Sequence, residues 1–238
     1  MPQLSEADLA ATIDHAILKP ELTRADVDAE LDIAREWKVF SVCVRPSDIA
    51  YAVKRLEGSG VAVGTVIGFP HGTTSTAAKV AETERALADG AREVDMVINI
   101  GWLRSGLDDD VVADIAAVTN AAAGYVSKVI LETAYLDDEQ IARGSRLTEE
   151  GGATFVKTST GFAGGGATLE HVRLMRASVG ADVQVKASGG VRSLQNALDM
   201  IDAGATRLGT SGSATILGEL RAILAGEGAT GATDDSSY

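Results

Sequence analysis

Short β-branched and apolar runs alternate with longer amphipathic stretches along most of the chain. A leading helix is predicted near Leu4 to Ala11, then a short strand around Ile13 to Ile17. TRADVDAELDIAREWK follows with apolar positions at helical spacing, Thr23 placed as its cap and acids in its first turn. SVCV predicts a strand, and a helix follows from about Ser47 to Leu56. The alternation continues through VAVGTVIGF and STAAKVAETERALADGA, EVDMVIN and DDDVVADIAAVTNAAAG, and KVILET and DDEQIARGSRLTEEGGA. It closes with TFVKTST and TLEHVRLMRASVG, VQVKASGG and SLQNALDMIDAGA, and TRLGTS and SATILGELRAIL. Strands alternating with helices predict parallel βαβ units, and near-continuous apolar strands fit a sheet covered on both faces. Eight such units in 238 residues favour a closed (β/α)8 TIM barrel, a fold that takes about 250 residues, over an open sheet. The expected organisation is one α/β domain over 1–224 with a short N-terminal helix. AGEGATGATDDSSY is small, polar and aperiodic, so 225–238 reads as a flexible C-terminal tail.

Composition narrows the function classes. Apolar residues at 45% suffice for a sizeable core, yet no run approaches the roughly 20 residues that span a bilayer. The opening MPQLSEADLA lacks the basic and apolar blocks of a signal peptide, so a soluble, cytoplasmic protein is expected. With 21 basic and 34 acidic residues, the net charge of −13 opposes binding to nucleic acid or an anionic membrane. A local phosphate site remains open, because backbone N–H groups can supply its positive potential. The single cysteine, Cys43, rules out an internal disulfide and reads as a buried strand thiol.

The candidate chemistry lies in the strands. Lysine is scarce, and Lys157 and Lys186 fall in or at the ends of neighbouring predicted strands. A charged amine in an apolar strand is costly unless paired or neutral, and the neutral amine is the form that attacks a carbonyl to make a Schiff base. One of the two would be the nucleophile and the other would keep it reactive. Snorkelling or structural pairing is the bland reading of either lysine alone; two on adjacent strands favour function. Asp95, mid-strand in EVDMVIN, would hold a lysine's charge and shuttle protons through a water; a structural ion pair is its alternative. Asp14 and Glu132 also fall near strands, and a structural role is the better reading of Glu132.

Glycine turns cluster late, in STGFAGGG, ASGG and LGTSGSA. Glycine lets backbone approach a ligand closely, and barrels often bind phosphate on the loops after strands 7 and 8. Thr160, Gly161, Gly189, Gly190, Gly209, Ser211 and Gly212 are therefore the candidate substrate and phosphate contacts, against the alternative that the glycines only shape turns. The histidines at 15, 71 and 171 show no metal-ligand spacing, so no metal site and no cofactor are expected.

FVKTSTGF, EVDMVINIG, VKASGG and the opening IDHAILKPELT resemble deoxyribose-phosphate aldolase, in family order and spacing, from about residue 9 to residue 224. The resemblance implies a metal-independent class I aldolase on a TIM barrel, which reversibly cleaves 2-deoxy-D-ribose 5-phosphate to acetaldehyde and D-glyceraldehyde 3-phosphate. It implies Lys157 as the Schiff-base lysine, Lys186 as the lysine that tunes it and Asp95 as the proton relay. It places Gly189, Gly190, Gly209 and Ser211 in the phosphate turns. Tyr238 matches a terminal tyrosine that, in some relatives, helps move a proton between imine and enamine. Phe162 stands where some relatives carry a lysine, and Ser188 where some carry a proline. The expected partner is a small phosphorylated sugar, and the expected assembly a homo-oligomer, dimer or tetramer. A sugar-phosphate isomerase, a different Schiff-base aldolase and a catalytically silent binder are the competing readings.

Overall fold

The computed structural model describes residues 4–227. Eight parallel strands close into a barrel in chain order: β1 (Ile13–Ile17), β2 (Ser41–Val44), β3 (Ala62–Ile67), β4 (Glu93–Val97), β5 (Val126–Ile130), β6 (Phe155–Lys157), β7 (Gln184–Ser188) and β8 (Arg207–Thr210). The seam is the pairing of β1 with β8, where Asp14 lies opposite Gly209. Helix α1 (Glu6–Ala10) precedes the barrel. The outer ring is α2 (Arg24–Trp37), α3 (Ile49–Arg55), α4 (Thr76–Ala88), α5 (Ile100–Ser105), α6 (Asp108–Ala121), α7 (Asp138–Glu150), α8 (Leu169–Ser178), α9 (Leu194–Asp202) and α10 (Ser213–Leu224).

Local sequence explains the helix starts. Ser5, Thr23 and Asp137 each accept the N–H three residues on, and Asp8, Asp26 and Gln140 return a bond to the cap backbone. These reciprocal boxes satisfy N–H groups that would otherwise lack partners. α5 was not expected; six residues capped by Asn99 are too few for an apolar period to show. The helix expected from Ser47 starts as a 3-10 turn, Pro46–Asp48. Most strands are shorter than their apolar runs, and of TFVKTST only Phe155–Lys157 is strand.

One continuous apolar layer, including Ile13, Val42, Met96, Val129 and Leu208, fills the space between barrel and helices. Inside the barrel the chemistry divides. Ala16, Leu18, Cys43 and Val66, with Phe69 against them, form an apolar wall on the β1–β3 side. Across from it, β4 to β8 contribute buried charges. Around α4 and α6, Lys79 is fully buried, pairs with Asp114 at 2.5 Å and donates to the Val97 carbonyl at 3.0 Å. The part of the expected tail from 228 onward, Tyr238 included, lies outside the described residues.

Candidate active site

Strand register sets the site. Lys157 pairs with Lys186 and Lys186 with Arg207, while Asp95 pairs with Lys128, so these side chains share one face of the sheet. That face is the barrel interior. Lys157 Nζ donates to Asp95 Oδ2 at 2.9 Å, and Lys186 Nζ donates to the same oxygen at 2.8 Å and to Asp14 Oδ2 at 2.6 Å. Lys128 Nζ meets Asp95 Oδ1 and Glu93 Oε2, each at 2.7 Å, and lies 3.7 Å from Asp14. Arg207 closes the cluster on Asp14 Oδ1 at 2.6 Å, where the Ser41 hydroxyl also donates at 2.7 Å. Its guanidinium sits 3.6 Å from the Phe40 ring centroid, so Phe40 covers the end of the cluster.

Four basic groups therefore face three carboxylates, Asp14, Glu93 and Asp95. Fully ionised, the cluster holds one positive charge in excess, and release of one proton balances it. Lys157 has one carboxylate partner among the described residues, where Lys186 has two and Lys128 three. Burial opposes ionisation of Asp95, but Lys128, Lys157 and Lys186 together outweigh it and hold the carboxyl well below its usual range. Asp14 is lowered too, with burial overcome by Lys186, Lys128 and Arg207. Lys128 is raised: its burial is outweighed by Asp95, Asp14 and Glu93. Burial, reinforced by the Asp95 charge, pushes the Cys43 thiol up to about 11, so it is no thiolate nucleophile.

The structure unites Lys157, Lys186 and Asp95 but divides the expected substrate contacts. Gly161, Gly189 and Gly190 adopt φ of 85°, 79° and 80°, conformations that require glycine. The Ala167 N–H donates to the Gly189 carbonyl at 3.0 Å, and the Thr210 hydroxyl to the Val191 carbonyl at 2.6 Å, so the three late turns are tied together. Ser211 and Gly212 border a cavity of about 240 Å³ with Lys19 and Glu30, at the start of α10. Thr160 instead borders a separate cleft of about 360 Å³ with Glu132 and Phe162. Gly209 is a strand residue rather than a turn residue. A Cβ there would lie 2.7 Å from Ser188 Cβ and 3.2 Å from Lys186 Cε, so its missing side chain makes room for the second lysine.

Sequence reasoning passed over Lys128, Glu93, Arg207 and Arg192. Lys128 opens the run KVILET, and Glu93 stands two residues before Asp95, as Arg207 does before Gly209; that two-residue alternation was the available signal. Arg192 follows the Gly189–Gly190 turn and has a buried Nε without a hydrogen-bond partner among the described residues. Among the described residues, no group of three His, Cys, Asp or Glu side chains is placed to hold a metal ion. No helix among them is long and apolar enough to cross a membrane.

The model of the DeoC/LacD family aldolases matches residues 9–223. The chain belongs to that family. This aldolase is 55% identical over 213 residues to deoxyribose-phosphate aldolase 2 of Staphylococcus aureus strain MRSA252, covering 90% of this chain and 97% of that one. It is 56% identical over 210 residues to deoxyribose-phosphate aldolase 1 of the same strain, covering 88% and 96%. A tetrameric deoxyribose phosphate aldolase from Aeropyrum pernix has the same fold, with a TM-score of 0.85 and 30% identity over 92% of this chain and 93% of that one. The aldolase activity, the TIM barrel and the family expected from the sequence motifs all agree with these findings.

Proposed function

We propose that this aldolase reversibly cleaves 2-deoxy-D-ribose 5-phosphate to acetaldehyde and D-glyceraldehyde 3-phosphate through a Schiff base on Lys157. The observation that carries the proposal is the excess positive charge around Lys157, the amine with a single carboxylate partner among the described residues. As a free amine it attacks the aldehyde of the open-chain sugar, and water leaves. The protonated imine then accepts the electrons of the carbon–carbon bond as it breaks. Lys186 and Lys157 share Asp95 Oδ2, so protons can pass between the amines across that oxygen. In this reading Lys186 keeps its neighbour reactive. Lys128, paired with Asp95 and Glu93, stays charged and stabilises the carboxylates.

The phosphate is assigned to the joined turns of Gly161, Gly189, Gly190, Ser211 and Gly212, with the start of α10 beside them. Binding there orients the reacting carbons and puts remote binding energy to use at the bond that breaks. Thr160 belongs to the sugar end, since it faces the other cleft. Tyr238 is proposed to assist the imine–enamine proton transfer. Its deletion would slow exchange of acetaldehyde protons without changing thermal stability. The chain is proposed to act in the cytoplasm as a homo-oligomer, dimer or tetramer, with no metal and no cofactor, and no nucleic-acid or membrane partner.

Borohydride reduction with acetaldehyde tests the central claim. The parent enzyme should lose activity and gain a two-carbon adduct on the peptide holding Lys157, and Lys157→Ala should neither cleave nor be labelled. Label on another lysine would overturn the assignment.

A further inference from the structure

His15 has no metal-ligand spacing, yet its ring joins three elements. On β1 it stands between Asp14 and Ala16, whose side chains face the barrel interior, so its own side chain points out towards the helices. The ring is fully buried, and both nitrogens are engaged. Nε2 lies 2.8 Å from Glu30 Oε2 on α2. Nδ1 lies 2.8 Å from the hydroxyl of Ser213, the first residue of α10. An ionised carboxylate only accepts, so Nε2 is the donor to Glu30. In the neutral ring that leaves Nδ1 to accept the Ser213 hydroxyl. An apolar side chain would fill the same space between β1, α2 and α10 with no buried donor or acceptor to satisfy. A polar chain in its place fixes direction as well as contact.

The direction it fixes is that of a turn already assigned to the phosphate. Across the β1–β8 seam His15 lies opposite Thr210, the last residue of β8. Ser211 and Gly212 follow, and α10 begins at Ser213. The N-cap of α10 is Gly212, and no side chain caps it. The first N–H groups of a helix have no partner within it, so the placement of this turn decides where they point. Two buried hydroxyls bracket the turn. On one side Thr210 Oγ1 accepts the Gly212 N–H at 2.9 Å and donates to the Val191 carbonyl at 2.6 Å. On the other side Ser213 is held by His15, and the ring of His15 is held by Glu30. Glu30 borders the same 240 Å³ cavity as Ser211 and Gly212, so the chain of bonds runs along the cavity wall.

We propose that His15 is a positioning residue for phosphate binding. It holds Ser213, and with it the Ser211–Gly212 turn and the first turn of α10, where they meet the substrate phosphate. The proposal rests on the phosphate assignment above. His15 acts through Ser213 and not on the reacting atoms, and Glu30 sets the orientation of its ring. A turn that loses this hold grips the phosphate less well, and the remote binding energy that orients the reacting carbons falls with it. A histidine that only filled the core would affect phosphorylated and plain sugar alike.

Two substitutions separate the arms of the ring. The amide of asparagine falls near the place of Nδ1, and that of glutamine near the place of Nε2. His15→Gln therefore loses the Ser213 bond and keeps a partner for Glu30, whereas His15→Asn keeps a partner for Ser213. The readout is kcat/KM for 2-deoxy-D-ribose 5-phosphate divided by kcat/KM for plain deoxyribose. Ser213→Ala and His15→Gln should each lower this ratio by about three- to tenfold, the worth of one hydrogen bond, through a raised KM for the phosphorylated sugar. His15→Asn should restore it to within about twofold of the parent. The double variant of Ser213→Ala with His15→Gln should lower it no further than either change alone, since both remove the same bond. Inorganic phosphate, as an inhibitor of plain deoxyribose cleavage, should weaken in the same order. An unchanged ratio in Ser213→Ala would overturn the proposal, even if His15→Gln failed to fold. Equal losses on the two sugars, or losses that multiply in the double variant, would overturn it as well. A parent enzyme with no preference for the phosphorylated sugar would instead overturn the phosphate assignment, and this proposal with it.

Discussion

Asp95 serves three ammonium groups with two oxygens, so one substitution acts on all of them. Asp95→Asn should cost about 3–5 kcal/mol in denaturant titration, since it leaves buried cations short of an anion. Lys186→Ala should lower cleavage by at least about 100-fold without moving the label from Lys157. The pH dependence of stability follows from the signs of the shifts. Asp14 and Asp95 are more acidic folded than unfolded, so their contribution is complete above the ordinary carboxylate range, near pH 4, and is lost only as pH falls through their lower folded values. Lys128 is more basic folded than unfolded. Its contribution is complete below the ordinary lysine range and is lost as pH rises through its folded value. Glu132 has the opposite sign from the other acids: raised when folded, it loses stabilising effect as pH rises through that folded value. Urea titrations from about pH 4 to about pH 8 should show the parent losing stability relative to Glu132→Gln as pH rises; a constant gap would contradict the raised acidity constant. That Lys157, Lys186 and Asp95 would meet inside the barrel was legible, because charges interrupt apolar strands there. The left-handed backbone of Glu132 and its bond to Thr160 were not legible, because neither has a sequence pattern.

Elements transmit these positions. The Lys79–Asp114 pair fastens α4 to α6 and to the end of β4, and both side chains are at most 2% exposed. Lys79→Ala should cost about 3–5 kcal/mol, because Asp114 would stay buried and unpaired, yet it should leave trapping at Lys157 intact. Losing one exposed capping box matters less: Thr23→Ala should cost about 1 kcal/mol. The glycine turns divide by geometry. Gly190→Val is strained at φ 80° beside the proposed phosphate site, and should reduce kcat/KM for the phosphorylated sugar more than for plain deoxyribose. Gly209→Ala crowds Lys186 and should harm both substrates alike, which separates a ligand turn from a strand that makes room for a lysine. Helix starts were readable because caps are local chemistry. Strand ends were not, because at the mouth Thr158, Ser159 and Thr160 continue an apolar-looking run while their bonds turn towards Glu132 and Ser188.

The barrel itself was legible for a reason that holds over the whole molecule: eight repetitions of one alternation outweigh the ambiguity of any single strand. The proposed chemistry uses only the chain's own amines and carboxylates, so cleavage should persist after exhaustive dialysis against EDTA. Activity lost there and restored by zinc would contradict the mechanism. The seam between β1 and β8 has a consequence for how the protein is made. Asp14 is synthesised 193 residues before Arg207 and 172 before Lys186, the two cations that hydrogen-bond its carboxylate. At about 5–20 residues per second, a ribosome takes roughly 10–40 s to cover that interval. Throughout it the first strand carries a carboxylate without its two hydrogen-bonding cations, so a nascent chain has reason to leave its barrel open. Circular permutants that break the chain in the αβ loops on the far side would change how long Asp14 waits while keeping every contact of the finished enzyme. Their refolding yield after release from the ribosome would show how far this delay protects the growing chain from closing early on the wrong partners.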